Sequence, residues 1–552
     1  MSAAKRKDSN FLVQGSILAV ASMISRIIGL IYRIPMTNII GDVGMSYYSA
    51  AYEVYNMLLL ISAYSLPLAV SKLVSARVSK GQRRNAYRIV KGALIFATCS
   101  GLAAALILYF GAGFFTSSLL NTPLALFALK VLAPTVFMVA ILGVIRGFFQ
   151  GLGTTMPSAV SQILEQIINA VVSVAAAYLL CIYGARIGAV LGNADNYGSA
   201  YGAAGGTLGT TLGAAAAMLF LGFLFMAYLR IFRRQMRRDV TKKTESYRSI
   251  FRILLLTIIP VLLSTTIYNI SAVLDQGIFK NVAELQGYEM NEIDTWWGIY
   301  SARYKTIINI PISIASSLAA TCVPNLAASY AVRDKTSVRR QINVSIRFIM
   351  VIAIPCTVGI AVLAEPLLRL LHLYSGELSV NILRAGAIAI IFYSLSTLSN
   401  GLLQGISRMK APVKNAVVAL ILHIGCLALF MFSFHLNIYA VVYANALFAF
   451  FMCVLNAISL RKYSGYQQEI VKTFLIPGVS SVIMGACVYG IYTGMQMLFG
   501  INTVSAIAAI VLGIIIYGIL LLLLKGLSES ELMGFPKGHL LVRIAKKLHL
   551  LR

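Results

Sequence analysis

Two arginines, Arg26 and Arg33, stand in an otherwise apolar stretch that runs from about Phe11 to Ile40. They are seven residues apart, so on a helix they share one face, about 10 Å apart along the axis. A charge inside a membrane helix is rare and turns toward the protein interior or a water-filled cavity. Guanidinium groups on such a face suit an anion, above all a phosphate, which they grip in bidentate fashion. The competing reading is snorkelling to the interface, which is easier for Arg33 near the helix end than for Arg26 near mid-depth.

Four more charged residues sit where apolar ones are expected. Glu53 lies in Tyr52-Glu53-Val54-Tyr55 and could pair with Arg33, or serve as a proton or cation ligand. Glu165 has Gln162, Gln166 and Asn169 around it, a set for helix packing or for lining a cavity. Arg303 and Lys305 open a later apolar segment, in Tyr300-Ser301-Ala302-Arg303-Tyr304-Lys305. Arg303 joins Arg26 and Arg33 as an anion ligand, and Lys305 follows it, with snorkelling as its alternative. The substrate-binding set expected is thus Arg26, Arg33, Arg303, Glu53 and Lys305.

The elements that hold these residues are membrane spans. The 552 residues are 59% hydrophobic and only 12% charged, about half the charge of a soluble protein. Segments of about 20 apolar residues recur near 11–36, 47–72, 89–113, 124–148, 157–183, 203–230, 250–275, 297–326, 344–371, 381–405, 412–435, 438–460, 470–496 and 502–525. The fold class is therefore an all-α polytopic membrane protein with fourteen transmembrane helices. The first apolar run has no small-residue cleavage site, so no removable signal is expected.

Charge placement supports the even count. The N-terminal tail, the even-numbered connections and the C-terminal tail carry the basic residues, with the longest run between Arg230 and Arg252. The odd-numbered connections are nearly free of them, and the seventh is acidic, with Glu284, Glu289, Glu292 and Asp294. By the positive-inside rule both termini are cytoplasmic. The net charge of +28 then reflects topology, and nucleic acid is not expected as a partner. The tail Leu540–Leu551 reads as a basic amphipathic segment on the inner leaflet, or as a solvated end.

The chain also repeats. Gly147-Phe-Phe-Gln150-Gly151 followed by Pro157 matches Gly401-Leu-Leu-Gln404-Gly405 followed by Pro412, and Leu66-Pro67 matches Val323-Pro324, at offsets of 254 to 257 residues. Six spans per repeat start and end on the same side, so the halves are two six-helix lobes related by a pseudo-twofold along the membrane normal. The expected domains are an N-lobe at 1–240, a C-lobe at 241–465, and two extra C-terminal helices with a basic tail at 466–552.

Other chemistries lack their residues. No GxxxxGK[ST] loop, GxSxG or HExxH occurs, and the seven cysteines and five histidines are scattered, so no nucleotide site, disulfide, metal or cofactor is expected. Gly101, Gly205, Gly206 and Gly209 read as close helix packing rather than hinges.

Several segments together resemble a known family. Ser25-Arg26-Ile-Ile-Gly29, Asn38-Ile-Ile-Gly41-Asp42-Val-Gly44, Tyr52-Glu53-Val-Tyr55 and Leu66-Pro67-Leu-Ala-Val-Ser71-Lys72-Leu-Val-Ser75 look like the stage V sporulation protein B and polysaccharide-export branch of the multidrug/oligosaccharidyl-lipid/polysaccharide exporter superfamily, which includes MurJ-type lipid II flippases. The resemblance implies two lobes alternating between inward and outward openings, with spans thirteen and fourteen forming a groove for a prenyl tail. It implies a lipid-linked cell-wall precursor as cargo. Arg26 matches the first arginine of the flippase motif in span one, Arg33 stands one position from the second, and Arg303 matches the arginine of span eight. The arginine of span two has no counterpart in Leu58-Leu-Leu-Ile-Ser-Ala-Tyr64.

The function expected is a non-enzymatic transporter that flips an undecaprenyl-pyrophosphate-linked saccharide to the outer leaflet of a bacterial plasma membrane. Inside-negative potential, worth about 2.3 kcal/mol per charge per 100 mV, would help an anion outward; a monovalent ion is the other energy source. The alternative is a multidrug or cation antiporter, which needs acids or aromatic cages in its cavity; span one has no acid. A scaffold for wall synthesis and a membrane enzyme are weaker readings. Expected partners are the lipid-linked substrate, membrane lipids and cell-wall synthesis proteins, around a monomer.

Overall fold

In hydrocarbon every backbone polar group must be satisfied within the protein, so an apolar chain crosses as helices or as a closed barrel. This chain takes the first course. The computed structural model describes residues 2–64, 66–236, 239, 244–331, 334–527, 529, 542–543 and 546–547, excepting the side chains of 2–19, 61, 64, 257, 259–269, 320–321, 323–325, 328 and 331. Among the described residues there is no strand. The chain divides between Gly298 and Ile299 into two compact units.

The first unit holds α1 (Ser2–Leu59), α2 (Leu66–Val78), α3 (Arg83–Gly113), α4 (Leu126–Gly151), α5 (Met156–Val190), α6 (Ala194–Gln235), α7 (Tyr247–Leu285) and α8 (Met290–Gly298). The second holds α9 (Lys305–Ala331), α10 (Lys335–Val362), α11 (Ala364–Leu370), α12 (Gly376–Gly386), α13 (Ala389–Gly405), α14 (Lys410–Phe432), α15 (Ile438–Ser464), α16 (Ile476–Phe499) and α17 (Asn502–Leu523). The fourteen expected spans fall on these helices, but not one to one: 47–72 runs from α1 into α2, 297–326 from α8 into α9, 344–371 from α10 into α11, and 381–405 from α12 into α13. Ten helices among the described residues are long and apolar enough to cross a membrane, and the bent pair α12–α13 makes an eleventh.

α1 accounts for two spans. The 40 residues from Val20 to Leu59 would reach about 60 Å as one rod, twice the hydrocarbon thickness of about 30 Å. The rod is broken at Gly41, with φ 69° and ψ −178°, a conformation that is essentially confined to glycine. The Arg33 guanidinium then lies 5.9 Å from the Tyr48 ring, where an unbroken helix would separate the two by about 22 Å. α1 is a helical hairpin. The expected loop at 37–46 shrinks to one glycine, because its other residues keep helical geometry.

Close packing rests on glycine. Gly147 and Gly151 of α4 lie so near Pro67 and Val74 of α2 that an added Cβ would meet the Pro67 carbonyl at 2.7 Å and Val74 at 2.8 Å. In the second unit Gly401 and Gly405 of α13 make the matching approach to α9, at 2.9 Å from Ala319 and 3.0 Å from Leu326. The glycine pairs that mark the sequence repeat thus do the same job in both halves. Gly205, Gly209 and Gly213 of α6 seat against Ala176, Ser173 and Glu165 of α5, and Gly101 of α3 against Ala140 of α4. These glycines pack helices, as the sequence suggests.

Contacts between connections respect two ends. In the first unit the second and sixth connections clasp. Arg77 donates two hydrogen bonds to Glu245, at 3.0 and 3.2 Å, and the Arg83 N–H donates to Asp239 at 2.9 Å. In the second unit the Arg339 side chain donates to the Ser464 carbonyl at 3.0 Å, Asn343 donates to Glu469 at 3.0 Å, and Arg347 pairs with Glu469. At the opposite end of the first unit Asn281 of α7 donates to the Leu119 carbonyl at 3.3 Å, and at the opposite end of the second Asn502 donates to the Pro366 carbonyl at 3.2 Å. Even connections meet even ones and odd meet odd, as alternating charge requires. Most of the sixth connection's basic run at 237–243 and most of the C-terminal tail lie outside the described residues.

Candidate functional site

Ser22, Arg26, Gly29 and Arg33 follow a spacing of four, three and four, which keeps them on one face of the first arm of α1. That face meets α5. Ser22 Oγ donates to Gln162 Oε1 at 3.3 Å, and an added Cβ on Gly29 would stand 3.1 Å from Gln166 Nε2. The polar set on α5 is therefore the facing surface of the arginine stripe. Arg26 is exposed, and Arg33 is half-buried over Tyr48.

A hydrogen-bond network fixes the surroundings of Arg33. Asn169 of α5 donates to Tyr32 Oη at 3.4 Å and accepts from Ser173 Oγ at 2.8 Å and from Thr210 Oγ1 of α6 at 3.3 Å. Thr210 in turn bonds Tyr52 Oη on the second arm of α1. Tyr48 and Tyr52 lie with ring centroids 4.5 Å apart. Both arms of the hairpin, α5 and α6 are thus tied around one guanidinium. Glu53 is half-buried on the second arm, next to Tyr52.

Glu165 makes a helix-packing contact. Arg146 of α4 donates to it at 2.7 Å and to Ser161 at 3.0 Å. Arg146 stands near the end of the fourth expected span, at 124–148, and the helix runs on past it to Gly151.

Arg303 lies in a π-helical turn, Ile299–Tyr304, that precedes α9. Such one-turn bulges re-aim side chains and recur at functional sites. Arg303 is 6% exposed and donates from Nη1 to the Leu373 carbonyl at 2.6 Å. Tyr304 Oη donates to the Gly386 carbonyl at 3.1 Å. Lys305 is half-buried, its ammonium 5.0 Å from the Tyr300 ring. A π-turn leaves no mark in hydropathy, so the sequence shows the residues and not their setting.

One charged cluster is absent from the sequence reading. Lys280 of α7 is fully buried and donates to Ser46 Oγ at 2.7 Å, to Thr122 Oγ1 at 2.6 Å and to Asp294 of α8. Ser46 Oγ also donates to Asp294 at 2.9 Å. Trp297 Nε1 donates to Ser49 Oγ at 3.0 Å beside it, and the Trp297 ring stacks on Phe279. The available signal was a lone lysine in an acidic region that otherwise lacks positive charge.

Apolar spanning helices that enclose cationic and polar side chains define a polytopic helical membrane protein. Its fold is that of solved transporters. It superposes on a lipid II flippase MurJ in an inward closed conformation with a TM-score of 0.64, at 16% identity over 91% of this chain and 97% of that one. An inward-facing multidrug resistance MATE family transporter of the MOP superfamily gives 0.61, at 16% identity over 79% and 99%. More particularly, residues 12–330 match the family described as "Polysaccharide biosynthesis protein", and the chain belongs to that family. Residues 304–429 also match MatE. Among curated proteins the chain is similar to lipid II flippase MurJ of Bacillus subtilis (strain 168), 26% identical over 87% of this chain and 88% of the relative. It is also similar to stage V sporulation protein B of the same organism, 24% identical over 97% and 99%.

Proposed function

We propose that this protein flips a lipid-linked, pyrophosphate-bearing saccharide precursor from the inner to the outer leaflet by alternating access. The observation that carries the proposal is the arginine face of α1, set against polar residues of α5 in a chain whose full-length relatives include a lipid II flippase. Arg26 and Arg33 grip the pyrophosphate, and Arg303, Lys305 and Glu53 are proposed as further substrate-binding residues. A pyrophosphate rewards planar, bidentate donors. Membrane potential or a monovalent ion drives the cycle.

In this reading the N-lobe is 1–240, the C-lobe 241–465, and 466–552 an appendage with a groove for the prenyl chain. Both termini are cytoplasmic, and the protein works as a monomer beside cell-wall synthesis proteins. Maleimide added from outside should label a cysteine placed near Glu289 and not one near Lys243; labelling of both would refute this topology. A cation antiporter would need a free acid in the cavity, and Glu165 is already held by Arg146. Conditional depletion tests the function. A lipid-linked precursor should build up on the inner leaflet, and its saccharide names the cargo. Depletion without such a build-up would refute the proposal.

A further inference from the structure

The repeat assigns α7 and α8 to the second half of the chain, yet both pack with α1–α6 in the first unit. The joint between them is polar. Lys280 of α7 and Asp294 of α8 are both buried, and they close on Ser46 of α1 and on Thr122, which stands just before α4. We infer that the bonds from the Lys280–Asp294 pair to Ser46 and Thr122 form a reversible latch that holds the outer end shut, and that these bonds, not the ion pair itself, come apart when the transporter opens outward. The inference rests on the alternating-access reading above, which puts the odd-numbered connections outside.

The chemistry of the pair suits that task. Removing two charges from water costs about as much as their attraction returns, so a buried ion pair adds little net stability over apolar residues of the same size. When the joint opens, water rehydrates both charges, and the opened state is not penalised. An apolar joint behaves otherwise: opening it would expose hydrocarbon to water. A lysine that only filled a core would be exchangeable for a methionine with its partner neutralised. A latch would not be, because the apolar version sticks shut.

The two kinds of substitution should therefore act in opposite directions. Lys280→Met alone leaves Asp294 charged in a dry site and favours the open form. Lys280→Met with Asp294→Leu removes both charges and locks the joint closed. The protein has two tryptophans, so Trp296→Phe leaves the buried Trp297, beside the joint, as reporter. In proteoliposomes, iodide quenching of Trp297 should rise about threefold or more in Lys280→Met, as the open population grows. In the double variant quenching should stay at the starting level, while transport of a lipid-linked pyrophosphate falls by about tenfold or more. Unchanged quenching in Lys280→Met at normal abundance would overturn the latch, as would a double variant that transports at the full rate. If Lys280→Met does not accumulate, the double variant, which buries no lone charge, decides alone. If the unsubstituted protein moves no such lipid, the functional reading fails, and the quenching of the reporter proteins still decides whether the joint opens.

Discussion

Two regions of the first unit hold cations among apolar helices, and they hold them differently. Around Lys280 each donor has an oxygen to meet: Asp294, Ser46 and Thr122 enclose the ammonium, and nothing of it reaches solvent. Along α1 Arg33 rests on an aromatic ring, and Arg26 is exposed. The first arrangement is complete within the protein. The second leaves the Arg26 guanidinium open to a ligand. Burial of a cation inside a membrane protein is therefore no sufficient sign of a ligand site; how fully its donors are satisfied is the better guide.

Substitutions can break this contrast, and their effects should differ in size. The largest belongs to Lys280. Lys280→Ala strands a buried carboxylate and should lower stability in detergent by about 3–5 kcal/mol if the joint stays closed; denaturation curves that shift by less than about 1 kcal/mol would mean that the joint opens and water reaches Asp294. Next is Gly41→Ala. Its Cβ has open space, but the backbone conformation should cost about 1–3 kcal/mol, and thermal melting would show no shift if the hairpin could turn elsewhere. Arg33→Ala is milder for the fold. It loses a cation–π contact worth about 0.5–1 kcal/mol while transport drops, whereas a large loss of stability would move Arg33 into the structural class.

The smallest effect is at Glu469, in the connection before α16. Burial alone would raise its carboxyl, but hydrogen bonds from Asn343 and Arg347 more than offset this and hold it below the usual glutamate range. Its contribution is then complete above the unfolded pKa and is lost as pH falls through the lower folded one. Melting temperatures of the protein and of Glu469→Gln should differ at neutral pH and converge in acid. A difference that persists in acid would place the effect in packing rather than charge.

Much of this was legible in the residues. Hydropathy and alternating charge located the helices, because the membrane enforces both rules strongly. The glycine pairs at 147/151 and 401/405 marked a real and repeated contact. The hairpin at Gly41 was half visible: the glycine stood in the quoted motif, but hydropathy cannot tell a one-residue reversal from a ten-residue loop. The setting of Arg303 was hidden, since a π-turn differs from an α-turn only in hydrogen-bond register. Lys280 was passed over because its partners come from Ser46, Thr122 and Asp294, far apart in the chain and joined only by the fold. Arg146 and Glu165 were separated for the same reason.

The central claim is that the arginine face of α1 grips a pyrophosphate, and Arg26 tests it most directly because it is exposed on that face. Outward movement of the accumulating lipid-linked precursor should be measured for Arg26→Ala and Arg26→Lys at matched membrane abundance. The account predicts that the alanine variant is inactive. It also predicts that the lysine variant, which keeps the charge and loses the planar fork, is impaired. An Arg26→Ala protein that moves the precursor at the full rate would contradict it.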